Sequence, residues 1–377
     1  MVRVGSHDEF TAVEMKFETT YGTDPTWAAD VFKVPHTGES LHYEVTEFPA
    51  SEEFGTLGGL QSVDQGRRVV EGSMTFEPAY DTVWFWRMFS QAWGAENLVL
   101  DQDMEGVAEL TMNTHFFSPG TGLPVGLALR VWKGGSATGT VDTILGLIVT
   151  RMVWNQPRNN RATVTLDFLG KSITSAAPGG SPVALEASPK KFKALDLQRA
   201  GSLFWLGTTM GTFNAMGFSL TIDRKLQITD AFLQSLLVAD KPLISGTREV
   251  TLEIDTDLES DYNSANKPWF EFLAGLTSSC SIFYDSGVAA VAARNYRARI
   301  DLPAITYLAA DNSIKQAGAQ PFPIRAKAQV GPLSNLDSLA DHVTIPASGS
   351  VDVRFGFQVA QGDEPALDTK FSNLANG

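Results

Sequence analysis

The chain has one cysteine, Cys280, and only 5 His in 377 residues. A single thiol excludes an intrachain disulfide and a cysteine metal cluster. So few His leave little material for His-based catalysis. No apolar run approaches the roughly 18 residues of a membrane-spanning helix. The longest, 288–293, is mostly Ala and closes at Arg294. The first ten residues, MVRVGSHDEF, have no apolar core of a signal peptide. These absences point to a soluble protein made in a reducing compartment, with Cys280 a small buried strand residue in SCSIFY.

Basic residues are also scarce. There are 29 Lys+Arg against 43 Asp+Glu, a net charge of −14. The imbalance is local. Residues 1–109 hold 20 acidic and 6 basic side chains, and residues 110–377 hold 23 of each. A phosphate-gripping nucleic-acid binder needs clustered Lys and Arg, so that class is disfavoured. An acidic surface that repels nucleic acid is allowed.

What is present is a strand-and-turn pattern. Hydrophobic residues make up 43% of the chain, with 23 Phe, enough for two domains of ordinary size. The organising stretch is 67–94, RRVVEGSMTFEPAYDTVWFWRMFSQAWG. Val70, Gly72, Met74 and Phe76 alternate with Glu71, Ser73, Thr75 and Glu77, a period of two. Asp81 is a good N-cap and Gly94 a good stop for a short helix between them, apolar on most sides and therefore sandwiched. A weaker copy, KPLISGTREVTLEIDTDLESDYNSANKPWFEFLAG, runs over 241–275 and matches Gly246 to Gly72. A repeat at this spacing indicates a duplicated unit.

The chain divides accordingly. Residues 1–35 read as an N-terminal arm. Residues 36–175 form a first β-rich unit, with strands over 41–48, 67–80, 107–117, 125–133, 141–154 and 161–169. Residues 176–200 are a Gly/Pro/Ser/Ala linker. Residues 201–361 form a second unit, with strands over 217–227, 246–256, 279–285, 295–308 and 351–361 and a helix from Pro268 to a stop at Gly275. The stretch 309–349 reads as an irregular insertion, 351–361 as the counterpart of 162–171, and 362–377 as a C-terminal arm. Long loops follow the first strand of each unit, at 49–66 and 228–245. Loops of that length are usually functional or mobile.

Sites for chemistry are weak. DQDMEG over 101–106 begins like a calcium loop, but its twelfth position is Met112, not Glu. Glu39 lies between His36 and His42 without metal-ligand spacing. DTDLESD over 255–261 reads as a solvated acidic edge. PGTGLPVG over 119–126 lacks the Lys-Ser/Thr of a phosphate loop. No nucleophile–base arrangement appears. The expectation is a non-enzymatic protein with no cofactor and no metal.

FETTYGT over 17–23, the long loop, and the strand–helix–Gly signature of 66–94 resemble the tail tube proteins of long-tailed bacteriophages. The resemblance spans 14–170 and repeats in the same order over 212–361. It implies two tandem β-sandwiches, each with a flanking helix. It also implies trimeric, pseudo-hexameric rings stacked head-to-tail in a siphophage virion. The channel would pass double-stranded DNA without tight binding. Glu44, Glu47, Glu71, Glu77, Asp223 and Glu253 are then candidate lumen-facing acids. Glu52, Glu53, Phe54, Leu57, Leu60, Asp64, Phe232, Leu233, Leu236 and Leu237 are candidate ring-stacking residues. Implied partners are further copies of the chain and the tape measure, tail terminator and distal tail proteins, with no membrane and with assembly in the host cytoplasm. The competing reading is a β-sandwich module that binds carbohydrate or a receptor.

Overall fold

The computed structural model describes residues 12–27, 31–49, 63–82, 85, 88–89, 94–104, 108–119, 123–134, 139–184, 189–199, 204–206, 215–227, 241–256, 268–291, 294–310, 323–336 and 349–361. The fold is mainly β. Its spine is one antiparallel ladder. In spatial order it runs His42–Pro49, Val63–Phe76, Thr163–Gly170, the second half of Thr140–Gln156, Ala215–Asp223, Glu249–Thr256, Ile324–Gln329 and the last part of Arg294–Ala310. Side chains alternate across a strand, and here the alternation is clean. Met74, Leu166, Trp154, Leu220, Leu252 and Ala326 are buried on one face. Their strand neighbours on the other face are partly or fully exposed and, apart from Val153, polar or charged.

A second set of strands covers the apolar face. Ala12–Phe17, Leu127–Lys133, the first half of Thr140–Gln156 and Ser172–Ala176 pair with one another. Thr277–Val291, Arg294–Ala310, Arg354–Ala360, Met112–Pro119 and Gly94–Val99 do likewise. The two 17-residue strands, Thr140–Gln156 and Arg294–Ala310, take part in both sets. The layers meet at Trp154, which is fully buried and lies 5.2 Å from Phe192, 6.1 Å from Tyr284 and 6.0 Å from Phe355, ring centre to ring centre. Its indole N–H donates to the Tyr284 hydroxyl at 3.1 Å, so the polar tip is satisfied. Phe85, Met88 and Phe89 are helical and buried, as 67–94 predicts, and Phe85 packs on Trp154 and Phe357. The helix Pro268–Ala274 also falls where expected.

Two strand sets share one neighbour order. The first runs 36–49, 63–76, 163–170, 140–156, 127–133, 12–17. The second runs 215–223, 249–256, 324–329, 294–310, 277–291, 204–206. Their irregularities coincide as well. Register shifts fall between His36/Gly38 and Ala215/Gly217, between Leu127/Leu129 and Ser278/Cys280, and at Thr150 and Leu308. Followed through the ladders, Glu44 matches Asp223, Ser73 matches Glu253, and Arg151 matches Ala309.

This register revises several expectations. The strand in the place of 163–170 is Ile324–Gln329, inside the stretch expected to be irregular. Its inward residues Ala326 and Ala328 are too small to give a strong apolar alternation. Arg354–Ala360 instead takes the position of Ser172–Ala176, beside the first half of the long strand. Gly72 and Gly246 do not match. Gly72, at φ 145°, lets the backbone of Ser40 cross it, and a Cβ there would lie 2.5 Å from the Ser40 carbonyl oxygen. Gly246 precedes the strand Glu249–Thr256. The arm contributes Ala12–Phe17, paired along its whole length with Leu127–Lys133. The linker contributes fully buried Phe192, stacked 3.8 Å from Tyr80, and the helix Ala194–Arg199.

Candidate functional site: a polar sheet face and its edges

The polar face of the eight-strand ladder gathers four of the six acids chosen from sequence. Glu71, Asp223 and Glu253 each follow a buried residue, and the register that sets Glu44 opposite Val69 and His42 opposite Glu71 puts Glu44 on the same face. Glu47 lies on the same strand as Glu44, opposite Gln65; its side chain is outside the described residues. Glu77 lies past the end of its strand. Its carboxylate is engaged by Lys191 and by Arg161 at 3.0 Å. Burial alone would raise its pKa, yet the hydrogen bonds from these two cations hold it below the usual carboxylate value. Glu77 thus fastens the 189–199 segment to the first unit.

The face also carries cations that the charge balance did not single out. Arg151 sits opposite Asp223 and Asp167 at the join between the two strand sets, with its guanidinium 3.8 Å from the Asp167 carboxylate. Burial raises the Asp167 pKa; Arg151 lowers it and Asp223 raises it further. Lys225 bridges Asp223 at 2.7 Å and Glu249 at 3.1 Å. Lys327 reaches Glu249 at 2.6 Å and Arg325 reaches Glu253 at 3.4 Å. The signal was available, because IRAKAQ places Arg325 and Lys327 at the same parity. It was missed because the strand was.

Near the other end, Glu71, Glu44 and His42 form an exposed group whose potential ligand atoms lie within 4.8 Å of one another. His42 Nε2 is 3.9 Å from Glu44. An exposed carboxylate–imidazole group of this kind is common without an ion and does not define a metal site.

Of the stacking candidates, Asp64 lies on Val63–Phe76, opposite Phe48. Glu52, Glu53, Phe54, Leu57, Leu60, Phe232, Leu233, Leu236 and Leu237 lie outside the described residues. Both long connections rise from short two-strand stems, 47–49 with 63–65 and 226–227 with 243–244.

The FETTYGT segment has a structural role. Glu18 is buried, and its two carboxylate oxygens accept the N–H groups of Gly22 and Gly146, each at 2.6 Å. Gly22 and Gly146 have φ of 67° and 70°, a region glycine occupies at no steric cost. Burial raises the Glu18 pKa against the lowering effect of those two bonds. A second TT-x-GT run, Thr208–Thr212, stands 189 residues after Thr19–Thr23 and is a repeat signal in the sequence itself.

The described residues build a mainly-β chain with a long, mixed-charge sheet face. The phage tail tube protein family matches it over residues 11–326, and the chain belongs to that family. It is therefore a structural component of a phage tail tube. No curated protein matches the chain.

Proposed function

We propose that three copies of this chain close into a ring with six quasi-equivalent strand sets. The polar sheet face lines a channel for double-stranded DNA. The observation that carries this reading is the join between the two strand sets. Phe218–Asp223 of the second set pairs with Arg151–Gln156 of the first, so two register-matched sets already form one continuous sheet. That is the arrangement a duplicated tube domain would adopt. Repeated around an axis, it removes open sheet edges, and closed cyclic assembly stops lateral growth.

The charge distribution suits transit without adhesion. Carboxylates exceed cations on the face, and each described cation there stands beside an acid. Phosphates therefore meet no cluster of free Lys or Arg that could release counterions and grip DNA. In this reading the loops around 49–66 and 228–245 contact the neighbouring ring. The tape measure protein occupies the channel before ejection, and terminator and distal tail proteins cap the ends. The tail is of the non-contractile siphophage type, and the protein is assembled in the host cytoplasm before entering the virion. Cryo-electron microscopy of purified protein tests this. Three chains per ring with Glu71 and Glu253 facing the lumen is the expected result. Six chains per ring, or those side chains on the exterior, would refute it.

A further inference from the structure

Among the described residues, the eight-strand ladder ends in an edge without a further strand on either side. One is the outer edge of His42–Pro49, whose only ladder is with Val63–Phe76. Its counterpart, Ala215–Asp223, has two ladders, one on each side. The other is the end of Arg294–Ala310. On the side facing Thr277–Val291 its last pair is Thr306 with Thr277, leaving 307–310 open there. The matching part of Thr140–Gln156 is covered by Phe218–Asp223. His42, Glu44, Leu308 and Ala309 are all exposed. Open edges of this kind invite a strand from another chain.

The internal join dictates what fits. There Asp223 stands opposite Arg151 and Ile222 opposite Met152, and the Arg224 N–H donates to the Thr150 carbonyl at 2.8 Å. The ladder matching carries 222–224 onto 43–45 and 150–152 onto 308–310. Resting on the ring assembly above, we propose that Tyr43–Val45 of one copy pairs antiparallel with Leu308–Ala310 of the next, with Val45 opposite Leu308, Glu44 opposite Ala309 and Tyr43 opposite Ala310.

Three physical features support this register. Glu44 stays on the polar face, as its match Asp223 does. The Val45 N–H and Leu308 carbonyl take up the bond that Arg224 and Thr150 make inside the chain. Leu308, 49% exposed, passes under a neighbouring strand instead of facing water. Each copy offers one edge of each kind, so the contact is head-to-tail and closes when the rotation does.

Paired cysteines test the register. Residues directly opposite in an antiparallel ladder have Cα atoms about 4.5–5.5 Å apart, within disulfide reach. The variant Glu44→Cys with Ala309→Cys, oxidised after assembly, should run on non-reducing gels as a covalent closed oligomer. Each single variant should still assemble yet run as a monomer on the same denaturing non-reducing gels, and the slipped pair His42→Cys with Ala309→Cys should cross-link at least tenfold less. Hydrogen exchange on the unmodified protein gives a second readout, with amides in 43–45 and 308–310 slowed on assembly. Rings that form without either the cross-link or this protection would overturn the register and leave the ring reading standing. Unmodified protein that stays monomeric at every concentration tried would overturn both.

Discussion

Single residues explain why the FETTYGT segment has the composition it has. Glu18 ties the turn at Gly22 to the bend at Gly146 and sits against Gly126, where a Cβ would come within 2.1 Å of its carboxylate. The N-terminal strand, the 127–133 strand and the kinked 140–156 strand thus meet at one carboxylate. Removing it leaves the buried Gly146 amide and the part-buried Gly22 amide without their acceptor. Glu18→Ala should cost about 3 kcal/mol, read as a lowered denaturant midpoint with an unchanged slope. Glu18→Gln, which keeps one acceptor oxygen, should recover part of that loss. Equal stability of Glu18→Ala and the parent protein would refute this role.

At the level of elements, the second unit is held by a charge buried between strands. Asp301 is fully buried on Arg294–Ala310. It accepts from Ser281 at 2.6 Å on one neighbouring strand, and from Arg354 at 2.8 Å on the other, with Arg299 at 2.9 Å on its own. Burial alone would raise its pKa, but the two guanidinium groups outweigh it and hold the carboxyl below its ordinary value. Asp301→Asn removes the carboxylate charge that two buried arginines share and should destabilise by about 3–5 kcal/mol in chemical unfolding. The pH dependence follows from the direction of the shift. The Asp301 contribution is complete above the unfolded value of about 3.9 and is lost as pH falls through the lower folded value. The acid limb of the stability profile should therefore be shallower in Asp301→Asn than in the parent. An unchanged acid limb would show that other carboxyls control it.

At the scale of the whole molecule, charge opposes assembly. Each chain carries −14, all of it in excess within the first 109 residues. Glu44 and Glu71 lie there, close to the open edge of His42–Pro49. Like charges brought together on a ring repel over about 10 Å at 0.1 M salt and about 3 Å at 1 M. Raising salt from 0.05 M to 0.5 M should then shift sedimentation from monomer toward rings, and Glu44→Gln should shift it the same way at low salt. Salt that dissociates rings would instead indicate that attractive ion pairs dominate the contact.

Much of this protein was legible in its residues. Period-two alternation located most long strands, since Val, Ile, Phe and Trp at every second position can bury only against another layer. Pro268 and Gly275 bounded the helix that carries the partly buried Trp269, and the apolar stretch after Asp81 pointed to the helical, buried Phe85 and Phe89. The acidic face was half legible. Parity along a strand put Glu44 with Glu71 and Asp223 with Glu253, but parity cannot say which strands lie side by side. That required the ladders. They placed Arg151 between Asp167 and Asp223, gave Lys327 and Arg325 to Glu249 and Glu253, and drew Glu77 away to Lys191. They also found Ile324–Gln329, whose alanines carry little hydrophobic signal yet fill a close-packed core. The sequence by itself determined strand, turn and charge, because those follow from local side-chain chemistry. Only the tertiary structure decided the register and the open edges, because these depend on contacts between residues far apart in the chain.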